Sequence, residues 1–352
     1  MDIILIAFFI ICFYGVSIKS QHKDYLSYES TTCIKGIFAI LILFSHSKGY
    51  LLPPHSNIMQ HEPSICNLSI ISDAILSILG QMIVTMFLAY SGFGIMNSYI
   101  NKGISYRNGF LRKRVVKILA HFDIAVALFL FLSLALGTKY TTKEYILSFI
   151  GWESIGNSNW FVFDIIILYV ISFIGFHIVE KLKLNIKHYV FILTVLCFMF
   201  LEIMNISKDG ALWWFDTIMA FPTGMMYCAY RHKIEQHLTG LKWWIAITML
   251  TAIYVILWIK PGMTSAIFSP IVFALLLISL TMKLKISNGI LHWLGVNAFA
   301  IYILQRIPMI VFSHIGLSDN QFIFLSLVIP ATLLMSWGFT HLTGKIDKKL
   351  FC

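Results

Sequence analysis

The run Cys33-Ile34-Lys35-Gly36-Ile37-Phe38-Ala39-Ile40-Leu41-Ile42-Leu43-Phe44-Ser45-His46 sets ten residues, nine of them apolar or glycine, between a lysine and a histidine. Extended over 33–50, it has the length of a helix that crosses a bilayer. Lys35 and His46 are eleven residues apart, which is about three helical turns, so both face one side with about 16 Å between them along the axis. A charged group inside a bilayer costs roughly 2.5–3.5 kcal/mol on insertion scales, so each such residue is a functional candidate. Taken singly, a lysine and a histidine near opposite helix ends also fit side chains that snorkel to the two interfaces.

Working outward, apolar runs of span length fall near 2–18, 71–98, 118–138, 160–179, 189–206, 212–229, 243–259, 264–282, 290–313 and 320–343. With 33–50 they make eleven. Turn formers such as Pro53-Pro54, Pro261-Gly262 and Asn288-Gly289 punctuate the linkers. The 352 residues are 59% hydrophobic and only 12% charged, against about 25% charged in soluble domains. The expected fold is therefore all-α, a polytopic integral membrane protein of about 10–11 transmembrane helices with no separate soluble domain.

The net charge of +10 is distributed as topology. Segments 18–35, 100–117, 180–188, 231–242, 283–289 and 344–352 hold 20 of the 26 Lys and Arg. Positive residues collect on the cytoplasmic side, so the N-terminus is expected outside and the C-terminus in the cytoplasm. That alternation argues against nucleic acid as a partner. The N-terminal run lacks a positive leader and a small-residue cleavage site, and reads as a retained helix. Cys12, Cys33, Cys66, Cys197, Cys228 and Cys352 form no CxxC or metal-ligand spacing, so no metal is expected. Cys66 falls in a predicted external loop.

Four further groups carry chemistry. Arg114 and Lys117 are i and i+3 on one face of the most basic loop, a pair suited to phosphates or, alternatively, to fixing topology. Met86–Gly94 places Tyr90 and Ser91 among small residues, which suits close helix packing or a substrate channel. Trp160, Asp164, Asp216, Gln305 and Arg306 gather toward the outer half. Opposite charges there either neutralise one another or orient His46 and an incoming hydroxyl. His121 and Asp123 lie in the inner half.

These residues, in this order, resemble the membrane acyltransferase 3 family of bacterial O-acyltransferases. Lys35-Gly36-Ile37 through Phe44-Ser45-His46 is similar to its first helix, a basic residue followed by His. Met86–Ile95 resembles its FFxxSGFxI segment and Arg114-x-x-Lys117 its RxxR pair. Asn159-Trp160-Phe161 resembles a Trp-bearing helix start, and Ala300–Pro308 the late YLxHxP segment. The likeness runs over roughly residues 30 to 345, which divides the chain into an additional N-terminal helix and cytoplasmic linker (1–30) and an acyltransferase domain (31–352). Lysines stand at 35 and 117 where the family has arginine, Gln305 replaces a histidine, and Asp164 is the nearest match to the acidic residue after the tryptophan.

The resemblance implies a multi-pass protein of the bacterial inner or plasma membrane. It would move an acyl group, acetyl by preference, from cytosolic acyl-CoA to a hydroxyl of a cell-envelope polysaccharide or lipid-linked glycan. Arg114 and Lys117 would hold the CoA phosphates with Lys35 at the entrance, and His46 would act as general base. Tyr90 and Ser91 are candidate acyl carriers. Trp160, Asp164, Gln305 and Arg306 would orient substrate. The rival readings are a transporter or flippase of a lipid-linked sugar or envelope intermediate, which uses the same buried polar groups as a path, and a structural or sensory membrane protein, which needs none of them.

Overall fold

In the computed structural model, residues 2–51 and 69–351 are described. The Pro53-Pro54 turn, Cys66 and Cys352 lie outside them. In chain order the elements are α1 (Asp2–Phe13), β1 (Val16–Ile18), α2 (Tyr28–Ser47), α3 (Ser69–Leu79), α4 (Met82–Lys102), α5 (Lys117–Ala135), α6 (Thr142–Ser148), α7 (Trp160–Lys181), α8 (Ile186–Ser207), α9 (Ala220–His237), α10 (Gly240–Ile259), α11 (Met263–Thr281), β2 (Leu284–Ile286), α12 (Gly289–Val296), α13 (Ala298–Leu304), α14 (Arg306–His314) and α15 (Gln321–Leu350). Apolar helices dominate because backbone groups in hydrocarbon must be satisfied within their own segment.

Among the described residues, eight helices are long and apolar enough to cross a membrane. The bent run from α12 to α14, broken by 57°, makes a ninth. Three of the expected spans differ. The first helix ends at Phe13, because Gly15 turns the chain at φ +81° and Val16–Ile18 enters a strand. The run 71–98 is cut by Gly80 at φ +47°, which separates α3 from α4. The expected span at 212–229 begins instead as a short turn at Leu212–Trp214, and its helix, α9, starts at Ala220 and runs into the charged segment through His237.

α2 is the most enclosed span: 78% of its apolar window is buried, against 11% for the peripheral α10. Its start is fixed by Ser27, whose side chain accepts the Ser30 N–H. Two glycine cradles then set its neighbours. A Cβ on Gly36 would stand 2.1 Å from the Leu291 carbonyl oxygen, and one on Gly295 would stand 1.8 Å from that of Thr32. α2 and α12 therefore touch backbone to backbone in both directions, the close approach that small residues permit between membrane helices. The same reciprocity joins α4 to α9, where Gly92 abuts Phe221 O and Gly224 abuts Ala89 O.

One end of the bundle is tied by polar contacts. β1 pairs antiparallel with β2, Ser17 opposite Lys285. Asn288 caps α12 by accepting from Leu291 N–H and donates from its amide to the carbonyls of Ile11 and Tyr14, locking α1 to α12. Lys285 pairs with Asp24 in the linker and, by that hydrogen bond, holds its carboxyl below the usual carboxylate range. Among the described residues Cys12, Cys33, Cys197 and Cys228 are free thiols. The first three are buried, as small apolar side chains would be.

Candidate functional site

α2 runs along two cavities that meet at a wall. The one at the N-terminal, Lys35 end of α2, the inner chamber in the order of the helix, has about 320 Å³ and is lined by Lys35, Lys117, His121, Ser91 and Tyr169 with apolar groups from α7 and α13. The outer one, of about 300 Å³, is lined by Ser45, His46, Gln81, Asn159, Trp160 and Arg306. Ile42 and Val84 belong to both linings, so one layer of aliphatic side chains separates them. Three helical turns of α2 thus carry a lysine into one chamber and an imidazole into the next.

At the outer chamber, Gln305 is fully buried and its Nε2 lies 2.9 Å from His46 Nδ1 and 3.2 Å from the Tyr302 carbonyl oxygen. A carbonyl can only accept, so the amide nitrogen belongs on that side, and its second hydrogen points at the imidazole. His46 Nδ1 is then an acceptor. In the neutral ring the proton sits on Nε2, the nitrogen left free of Gln305. Gln305 Oε1 is buried without a partner among the described residues. The Tyr302 ring stands 6.2 Å from His46 and edge-on to Phe161 at 5.3 Å, which seats α13 against α2 and α7.

The outer rim is built by the loop before α7. Lys208 donates to the Trp152 carbonyl oxygen at 3.0 Å while its ammonium sits 3.7 Å and 3.9 Å from the Trp152 and Trp214 ring centroids. That cation clamp fixes the turn from which Asn159 reaches back to the Gly151 carbonyl oxygen. Arg306 follows Gln305 at the start of α14, and its Nε has no partner among the described residues.

The inner chamber is basic at one end. Lys117 pairs with Asp347 of α15 at 2.7 Å, and His121 Nε2 meets the same carboxylate at 2.9 Å. Arg114 lies on the widened π-helical turn Arg112–Val116 that leads into α5. Its guanidinium is 6.0 Å from the Tyr169 ring and donates to Tyr106 Oη at 3.4 Å. Tyr169 donates to Ser91 Oγ at 3.3 Å, so Arg114, Tyr169 and Ser91 form one file. Lys35 Nζ stands 6.0 Å from the Tyr90 ring.

The sequence-derived candidates therefore divide. Lys35, Ser91 and Lys117 line the inner chamber, and His46, Trp160 and Arg306 the outer one. Gln305 touches His46 directly. Tyr90 and Arg114 stand behind the lining rather than in it. Asp164 is wholly buried and lines neither chamber; its oxygens have no partner among the described residues, and the ionisable group beside it is Asp216 rather than Arg306. Several contributors escaped the sequence reading, Tyr169 among them. Asp347 sits among terminal lysines, Gln81 enters the outer chamber because Gly80 breaks the helix, and Tyr302 was quoted only as motif. The isolated Gly80 inside an apolar run was the one available signal for Gln81.

Two chambers, one basic and one holding an imidazole, suit a reaction whose partners arrive from opposite sides of the wall. The model of a family described as an acyltransferase domain matches residues 28–341. No curated protein and no solved structure matches the chain.

Proposed function

The chain belongs to the membrane acyltransferase 3 family, and from that premise we propose that it transfers an acyl group, acetyl by preference, from cytosolic acyl-CoA to a hydroxyl of an envelope polysaccharide or lipid-linked glycan. The protein would lie in the bacterial inner or plasma membrane with its N-terminus outside and its C-terminus in the cytoplasm. The acyl-CoA phosphates would meet the Lys117 and Arg114 end of the inner chamber, with Lys35 above them. The thioester arm would extend along Ile42 and Val84 toward His46. The acceptor hydroxyl would enter the outer chamber between Trp160 and Arg306.

The chemistry needs a base beside the acceptor. His46 would take the hydroxyl proton as the oxygen attacks the thioester carbonyl. The carbon–sulfur bond then breaks, and the sulfur leaves as thiolate, protonated on the way to free CoA. The nitrogen available for this is Nε2, since Gln305 occupies Nδ1. Nε2 acts as base only when the ring proton is on Nδ1, which requires the Gln305 carboxamide to turn over and present Oε1 as acceptor. Its unpartnered Oε1 supplies the incentive, and the Tyr302 carbonyl supplies the opposing cost. Turning the amide is thus a step of the proposed cycle.

The single observation that carries this reading is the wall shared by a basic chamber and an imidazole chamber along one helix. The test is a purified preparation given radiolabelled acetyl-CoA. Saturable binding that survives His46→Ala, with transfer to membrane glycan lost in that variant, supports the enzyme. A protein that binds no acyl-CoA, or that acylates normally without His46, refutes it. A carrier for lipid-linked sugars would need neither.

A further inference from the structure

On the periphery, α12 and α15 enclose a groove of about 450 Å³ that plays no part in the transfer just described. Its α15 side changes character along the helix. Trp337, His341 and Lys345 follow at intervals of four, and Lys348 lies one turn farther, so one face passes from indole to ammonium over about 16 Å. The Trp337 and His341 rings stack at 6.2 Å. Trp293 of α12 faces them across the groove.

Three features mark it as built for a ligand. Neither Lys345 nor Lys348 has an ion pair among the described residues, while Asp347 between them turns away to Lys117 and His121. Gly344 lies in the lining, and no atom stands within 4 Å of where its Cβ would be. A methyl group there would meet no protein, so the glycine is not required for helix packing and leaves the groove open. Asn297, 3% exposed and also in the lining, carries an amide oxygen with no partner among the described residues.

We propose that this groove retains one anionic phospholipid, its phosphate on Lys345 and Lys348 and its glycerol and upper chains along Trp337 and Trp293. The charge gradient decides the class. Lysines at a helix end attract anionic headgroups, and tryptophans sit where headgroup gives way to chain. Exposed Leu334 and Leu342 beside the groove continue the surface into hydrocarbon. A soluble phosphate would use the lysines and leave the aromatic half unfilled. Val296 lines both this groove and the inner chamber, so the lipid would form part of that chamber's outer wall.

The test is native mass spectrometry of the full chain in detergent, titrated with dioleoyl phosphatidylglycerol, the matching phosphatidylcholine, or glycerol 1-phosphate. One phosphatidylglycerol should be retained at roughly ten-fold lower concentration than phosphatidylcholine, with glycerol 1-phosphate failing to compete. Lys345→Gln with Lys348→Gln, and separately Gly344→Phe, should each remove that preference. Ordinary snorkelling would respond to the lysine changes but not to Gly344→Phe, and that result overturns the proposal. Equal retention of the two lipids, or displacement by glycerol 1-phosphate or acyl-CoA, overturns it as well. Should Gly344→Phe lower the melting temperature, Trp337→Ala takes its place: release of the retained phosphatidylglycerol supports the groove, and unchanged retention overturns it.

Discussion

Gln305 donates its side-chain amide to both the Tyr302 carbonyl and His46 Nδ1, so a neutral residue dictates which nitrogen of the candidate base carries the proton. Substituting glutamate leaves an acceptor only. Gln305→Glu should fix the proton on Nδ1, free Nε2 as base and favour the imidazolium, which cannot act as base. The acidic limb of the pH–rate profile should move to higher pH by about one unit or more, with kcat retained on the alkaline side. Gln305→Leu should lower kcat by roughly 10²-fold with KM for acyl-CoA unchanged. A merely structural glutamine would lower activity in both variants without moving the limb.

Removing the imidazole itself is the sharper cut. His46→Ala should reduce transfer by about 10³-fold or more while the amount of protein in the membrane stays constant. Lys35→Arg should keep activity, since the charge persists in the same chamber, and Lys35→Ala should not. Quantifying O-acylated glycan against immunoblotted protein separates loss of chemistry from loss of fold. An active Lys35→Ala enzyme would reduce Lys35 to a topology signal.

The glycine cradles predict a different kind of failure. Gly295→Ala places a methyl 1.8 Å from the Thr32 carbonyl oxygen, so α12 must move off α2 one turn from Lys35. Such overpacking costs about 1–3 kcal/mol, and a shift near 1 Å at a reacting geometry costs about 10²-fold in rate. Gly289→Ala on the same helix meets no atom within 4 Å and should be silent. Melting temperature and activity of the two variants, measured side by side, check the contrast.

The membrane class and the site's main axis were legible because hydropathy and the eleven-residue spacing of Lys35 and His46 are local properties of the chain. The span count was not. Whether Gly80 or Gly15 breaks a helix depends on what packs around it, and an apolar run records only solubility in lipid. Pairings across the fold were hidden for the same reason. Nothing near Gln305 says that it will meet a histidine 259 residues away, and Asp347 in a lysine-rich tail reads as surface until α15 brings it to Lys117. Asp164 shows the same limit: depth along the chain grouped it with both Asp216 and Arg306, and only the fold brings it beside Asp216.

Asp347 gives the last prediction, and its sign is set by charge. Its carboxylate lies 2.7 Å from Lys117 and 2.9 Å from His121, neutralising the lysine that lines the inner chamber beside that imidazole. A polyanionic donor entering there competes with that carboxylate for Lys117. Asp347→Asn removes one negative charge from the donor's path and should lower KM for acyl-CoA several-fold, whereas Lys117→Met should raise it by roughly ten-fold. Both effects should shrink as salt rises from 50 to 500 mM, because partly exposed charges are screened. Steady-state kinetics across that range are decisive. If Asp347→Asn instead raises KM, Asp347 holds Lys117 in place for the donor, and the competition between them is ruled out.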